Sequence, residues 1–136
     1  MNRGLKLSLV LIVAIFCTGM GGLSGQPEGT IPETDVNIQA EVKDRDGVTT
    51  SLEKFSMAGK ISLDAWRGQG KLTIPFQNIN TITFGDNKGD AVMVDVKLKT
   101  GETMTLQVRS RAQFYGSTGF GAFQIKSKDL ALIDFP

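Results

Sequence analysis

Gly68-Gln-Gly-Lys-Leu72-Thr-Ile74 and, 51 residues further on, Gly119-Phe-Gly-Ala-Phe123-Gln-Ile125 are the same phrase written twice. Each opens on a Gly-x-Gly turn and then alternates polar and apolar residues. The first runs on to Ile79, Ile82 and Phe84, and the second to Leu130, Ile133 and Phe135, at the same offset. Alternation with period two puts every second side chain on one face of a strand, so both phrases read as half-buried β structure. Upstream, Val42 and Gly47 match Val96 and Gly101 at an offset of 54, which implies a three-residue length difference in the loop between. The chain therefore divides into a repeat over 36–84 and a second over 91–135, joined by the polar loop Gly85-Asp-Asn-Lys-Gly-Asp90. One copy of about 50 residues buries too little apolar surface to stand comfortably alone, so the copies are expected to pack together.

Outward from these phrases the alternation continues. Val36, Ile38, Ala40 and Val42 face one way and Asn37, Gln39, Glu41 and Lys43 the other. The same pattern recurs at Val92, Val94, Val96 and Leu98, and at Met104, Leu106 and Val108, whereas no stretch beyond the N-terminal segment sustains a helical period. Each copy reads as a five-strand meander. In the first, the strands are Val36–Val42, Val48–Phe55, Ile61–Ala65, Lys71–Ile74 and Thr81–Phe84. Asp46-Gly47 forms a hairpin turn, Pro75 ends the fourth strand, and Phe76-Gln-Asn-Ile79 makes a short helical turn. In the second they are Ala91–Leu98, Glu102–Arg109, Ala112–Tyr115, Ala122–Ile125 and Ala131–Phe135, with turns at Thr100-Gly101 and Lys128–Leu130. The expected fold class is all-β: a single domain over 36–136, a small barrel or sandwich with pseudo-two-fold symmetry. Residues 26–35, with Pro27, Gly29 and Pro32, read as a flexible leader.

The N-terminus carries Arg3 and Lys6, an apolar run from Leu7 to Phe16, and a Gly/Ser stretch from Gly19 to Gly25. That is the pattern of a signal peptide over 1–25. The run is shorter than the roughly 20 apolar residues of a spanning helix, and Gly22 and Ser24 suit a cut after Ser24. Acylation of Cys17 is disfavoured by bulky Phe16 before it. The expected location is exported, periplasmic or extracellular, with no integral membrane segment after processing. The chain has no His, and its only Cys lies in that segment, so no disulfide, no ordinary metal site and no cofactor are expected. Without Arg3 and Lys6, 13 cations face 14 acids, interleaved in sign as in Lys43-Asp-Arg-Asp46, which leaves no electrostatic case for a nucleic-acid partner.

The string Gly-x-Gly-x-apolar-x-Ile followed by Ile/Leu, Ile and Phe, at 68–84 and 119–135, resembles the closing half of Sm-like and SH3-like small barrels. It is also similar to exported bacterial all-β proteins of unknown function built on duplicated units. The Sm-like resemblance would imply RNA binding. This chain departs from that family in its export pattern, its duplication and its lack of a basic loop, so that function is not carried over.

Few constellations suggest chemistry. Ser51-Leu-Glu-Lys54 with Lys99-Thr-Gly101 mimics motifs of penicillin-interacting enzymes, but those need the serine and lysine one helical turn apart, and an alternating strand puts them on opposite faces. Asp44-x-Asp46-Gly47 opens like a calcium loop, yet Phe55 stands where the bidentate Glu belongs, so a hairpin turn is the expected reading. The oxygen-rich Asp86–Asp90 stretch reads as a solvated loop. Asp64 with Glu53 is the one carboxylate pair considered for glycoside hydrolysis, with nothing in the sequence to bring them together. Stronger candidates are the aromatics beside glycines: Trp66 with Arg67, Tyr115, and Phe120. Such rings either close the ends of the core or form a platform for sugars or a partner's apolar side chains. The expectation is a non-catalytic envelope protein with a structural or protein-interaction role. The alternative is a carbohydrate- or peptidoglycan-binding module using Trp66, Arg67, Tyr115 and Phe120.

Overall fold

The computed structural model describes residues 29–136. The export segment over 1–25, with Cys17 and the cut after Ser24, lies outside the described residues. Ten strands follow in order: β1 (Ala40–Asp44), β2 (Thr49–Met57), β3 (Ser62–Arg67), β4 (Gly70–Pro75), β5 (Ile79–Lys88), β6 (Ala91–Leu98), β7 (Thr103–Arg109), β8 (Gln113–Ser117), β9 (Ala122–Lys126) and β10 (Leu130–Asp134). Single 3₁₀ turns, Phe76–Asn78 and Ser127–Asp129, lead into β5 and β10, where short helical turns are expected from the sequence. Among the described residues no helix is long and apolar enough to cross a membrane.

All ten strands belong to one antiparallel sheet with the order β4-β3-β7-β6-β5-β10-β1-β2-β8-β9. This corrects the pair of meanders expected from the sequence. Five-strand neighbourhoods are present, β10-β1-β2-β8-β9 and β5-β6-β7-β3-β4, but each takes two adjacent strands, β1 and β2 or β6 and β7, from one half of the chain and its other three from the other. The cause is at the end of the second strand, where the chain does not fold back on itself. It crosses instead, so the β3–β4 hairpin joins β7 and the β8–β9 hairpin joins β2.

This crossing fixes the shape. β2 and β3 are six places apart in the order, about 29 Å along a flat sheet at about 4.8 Å per strand. The five steps from Met57 to Ser62 reach at most about 18 Å. The sheet must therefore curl until those strands meet. It does: Met57 bridges Lys60, and the Asp64 N–H points to Met57 Sδ at 3.3 Å. β7 and β8 impose the same closure from the other side, through a connection held by Ser110 N–H to Asp90 O (2.8 Å) and Ser127 N–H to Ala112 O (2.9 Å). The result is a half-barrel.

The concave side holds the core. Its middle is the β5–β10 pair, where Ile82 faces Ile133 in register and both are fully buried. Its end is an aromatic cluster around Phe55, whose ring lies 5.2 Å from Phe76, 5.7 Å from Phe114 and 5.7 Å from Phe135. These rings come from β2, the first 3₁₀ turn, β8 and the chain following β10, so one cluster ties both ends of the order together.

Two boundaries differ from the sequence reading. Gly85–Asp90 is not a linker loop, since β5 continues to Lys88 across a bulge between Phe84 and Asn87. Arg45 holds it there, donating from Nη2 to Gly85 O (2.6 Å) and from Nε to Lys128 O (3.2 Å). β1 starts at Ala40 instead of Val36 because the residues before it serve a bulge in β2: Asn37 Oδ1 accepts from Lys54 N–H (2.7 Å) and Ile38 O from Phe55 N–H (2.8 Å).

Replacing Ile82 or Ile133 by Ala is expected to cost about 2–5 kcal/mol each in chemical denaturation. A loss near zero would remove the β5–β10 pair from the centre of the core. Residues 36–84 made alone are expected to show no cooperative thermal transition as a monomer, because β2 would lack β8 and β3 would lack β7. A sharp melt independent of concentration would overturn that interdependence.

Candidate functional site

The convex face carries the polar half of each alternating strand, and the candidate residues divide between its two ends. Trp66 lies on β3 with Leu63 and Ala65 turned into the core, so its indole points outward and is half-buried. Its cross-strand neighbours are Lys71 on β4 and Gln107 on β7. Cations approach the ring: Arg109 Cζ sits 4.6 Å and Lys71 Nζ 5.8 Å from its centroid. A cleft of about 150 Å³ opens beside it, bounded by Trp66, Asp90, Gln107 and Arg109. Arg67, next along, is exposed at the hairpin tip.

Tyr115 and Phe120 lie on the other arm of the order, where β8 stands seven places from β3. Tyr115 is in β8, flanked by Ser56 of β2 and Gln124 of β9, and is 8% exposed. The sequence reading ends this strand at Tyr115; β8 instead runs on to Ser117, and β2 and β9 cover the residue on both sides. Gly116 explains the close fit, since a Cβ there would stand 2.9 Å from that of Leu52. Phe120 is fully exposed at the β8–β9 tip. Its turn is firmly made: Thr118 Oγ1 accepts from the N–H groups of Phe120 (3.1 Å) and Gly121 (3.2 Å), Thr118 N–H donates to Gly121 O (3.1 Å), and Gly119 supplies a φ of +90°.

Beside that hairpin lies the larger concavity, about 480 Å³, lined among others by Gln39, Glu41, Ser51, Glu53, Ser117 and Thr118. It opens where β2 bulges: after Glu53 pairs with Ser117 the next pairing is Ser56 with Tyr115, and Lys54 adopts a φ of +52°. The ladder is interrupted there, and the outward Glu and Ser residues frame the gap. Sequence reasoning missed this groove. Alternation correctly sets Gln39 and Glu41 outward, but the bulge that gathers them beside Ser117 has no sequence mark.

Asp64 and Glu53 are placed apart. Glu53 lines the groove, while Asp64 stands on β3 and is engaged by Lys60 Nζ (3.0 Å), Lys71 Nζ (3.7 Å) and Thr73 Oγ1 (2.9 Å). Partial burial pushes the Asp64 carboxyl up, but the hydrogen bonds from Lys60 and Thr73 and the two ammonium charges outweigh it and hold it below its ordinary value. Asp44 also has backbone partners: its Oδ1 accepts from the N–H of Asp46 and of Val48, both at 2.9 Å, closing the β1–β2 turn. Ser51 and Lys54 lie on β2, whereas Lys99-Thr-Gly101 forms the β6–β7 turn. Among the described residues no three of His, Cys, Asp and Glu are grouped as metal ligands.

The chain belongs to a protein family whose model matches residues 34–135 and whose description is "Uncharacterised protein". No curated protein matches it.

Because folding lowers the Asp64 pKa below 3.8, its contribution is present above that value and is lost as pH falls through the folded value. Asp64→Asn is expected to destabilise the protein by less than about 1 kcal/mol at neutral pH, as solvent-screened pairs do. The gap to the parent protein should close below about pH 4. A gap that widens on acidification would reverse the sign assigned here.

Proposed function

We propose that this chain is an exported, non-catalytic envelope protein that acts as a structural or protein-interaction accessory, with the β8–β9 end of its sheet as the contact. The observation that carries this reading is Phe120, an entirely exposed ring on a hydrogen-bonded turn. A rigid aromatic costs little conformational entropy to bury and is a common anchor of interfaces. The edge beside it supports the same reading, since β9 pairs only with β8 and ends the strand order. An edge with free backbone groups favours strand addition by a partner.

The export of the mature chain rests on the sequence pattern over 1–25. The reading of the two halves as copies of one small-barrel unit rests on the offsets of 51 and 54 and is supported by the strand order. Outward from the β5–β10 centre, β6, β7, β3, β4 on one side correspond to β1, β2, β8, β9 on the other.

A second reading, a carbohydrate- or peptidoglycan-binding module, is favoured by the groove next to Phe120. Its carboxylates, amide and hydroxyls suit a polyhydroxylated ligand, with the ring as a stacking surface. In this reading Phe120 replaces Trp66 as the platform, because a cation already lies over the indole.

Photo-crosslinking from position 120 of the full chain in its own cells separates the two. A defined protein adduct, absent when the probe is moved to exposed Val48, is the expected result. Sedimentation with purified peptidoglycan that Phe120→Ala abolishes, with no protein adduct, would overturn the primary reading in favour of the second.

A further inference from the structure

The cleft beside Trp66 carries a charge imbalance that the fold does not resolve. Arg109 lies against the indole, yet among the described residues its guanidinium meets no acid within ion-pair distance and no hydrogen-bond acceptor. Lys71 shares the single carboxylate of Asp64 with Lys60, which is the closer of the two, at 3.0 against 3.7 Å. With Asp64 balanced by Lys60, the cations next to the indole are Arg109, which lines the cleft, and Lys71, which stands beside the ring on β4, and Asp90 is the one acid among the lining residues. The whole chain is close to neutral, with 15 cations and 14 acids, so this is a local concentration of positive charge.

Its geometry selects the ligand. A guanidinium laid on an aromatic face is fixed in orientation and directs its N–H edges away from the ring, ready for bidentate contact with an oxyanion. The ring cannot then serve as a sugar platform on that face. A carboxylate would satisfy Arg109 alone, whereas a phosphate group has enough charge and acceptor oxygens for Arg109 together with the flanking Lys71. About 150 Å³ has room for one such group and not for a bulky ligand. We propose that the Trp66–Arg109 cleft binds a phosphate group, with Arg109 as the principal donor and Lys71 as the flanking charge. The site is separate from the Phe120 end, and neither proposal depends on the other.

Trp66 is the only tryptophan of the chain, so its emission reports this cleft directly. The full chain is titrated with inorganic phosphate at constant ionic strength, and then with phosphatidylcholine vesicles containing either none or about one third phosphatidylglycerol. A saturable change with inorganic phosphate or with the anionic vesicles is expected, and its midpoint should weaken at least about tenfold in Arg109→Gln. Arg109→Lys should fall between, and Arg111→Gln, outside the cleft, should match the parent protein. Because Arg109→Gln alters the indole's surroundings, midpoints are compared instead of amplitudes, and ³¹P line broadening gives a second reading with inorganic phosphate. A response to inorganic phosphate identifies the free anion as sufficient, and a response to anionic vesicles alone identifies a lipid headgroup. No saturable response to either probe, the same response to pure phosphatidylcholine or added sodium chloride, or an unchanged midpoint in Arg109→Gln would overturn the proposal.

Discussion

The structure depends on two connections that are too short for the sheet they cross. Met57 to Ser62 and Arg109 to Gln113 each join strands six places apart in the order, and only curling brings those strands within reach. Once the sheet curls, its concave side closes on itself, and aromatic rings from distant strands meet around Phe55. Neither half can make this arrangement alone, because each half's second strand takes its outer neighbour from the other. The stability of the domain is thus a property of the exchange. The β5–β10 pair at its centre is where the two arms are joined through Ile82 and Ile133.

The crossing also explains which polar groups are held and which are offered. On the convex face, cross-strand neighbours are satisfied in place: the direct pairs Thr105 Oγ1 with Asp95 (2.7 Å) and Thr73 Oγ1 with Asp64 (2.9 Å), and the diagonal pair Gln124 Nε2 with Gln113 Oε1 (2.9 Å). Departures from regular pairing are where side chains are left for other partners. The β2 bulge opens the groove of Glu41 and Glu53, and the single pairing of Trp66 with Gln107 leaves a cleft where β3 meets β7. A regular ladder covers its own edges, and irregular ones create concavity.

Much of the fold is legible in the sequence because period-two alternation is a local signal. It places Ala91–Leu98 to the residue, sets Val42, Val94 and Ile82 inside and Glu41 and Asp95 outside, and locates both 3₁₀ turns near Pro75 and Lys128. What alternation does not contain is which strand lies beside which. The β2–β3 turn of a meander and that of a crossing have the same composition, so the exchange of hairpins is invisible until the strands are placed. The same limit governs the site. Gly-flanked aromatics single out Trp66, Tyr115 and Phe120, but burial depends on where β8 stops. It stops after Ser117, which leaves Phe120 outside and covers Tyr115. Arg109 is only the last residue of a strand in the sequence reading, because only the pairing of β7 with β3 lays it on Trp66.

Under the proposed duplication, the two outer hairpins are the most informative comparison, since they share a backbone and differ in chemistry. Both turn through Gly-x-Gly, with Gly68 and Gly119 in the left-handed region. At the offset of 51, Phe120 stands opposite Gln69, Trp66 opposite Ser117, Lys71 opposite Ala122 and Arg67 opposite Thr118. Every one of these positions faces outward or lies at a tip, where substitution leaves the core untouched and costs little stability. The inward positions of the same hairpins, Ile74 with Ile125 and Leu72 with Phe123, stay apolar. A core held constant while the outer face diverges is the pattern expected when one scaffold presents two different surfaces. One end carries cations around an indole, and the other a bare phenyl ring beside carboxylates. That asymmetry argues for two separate contacts, one at each end of the sheet, over a single site formed jointly by the aromatics of both hairpins.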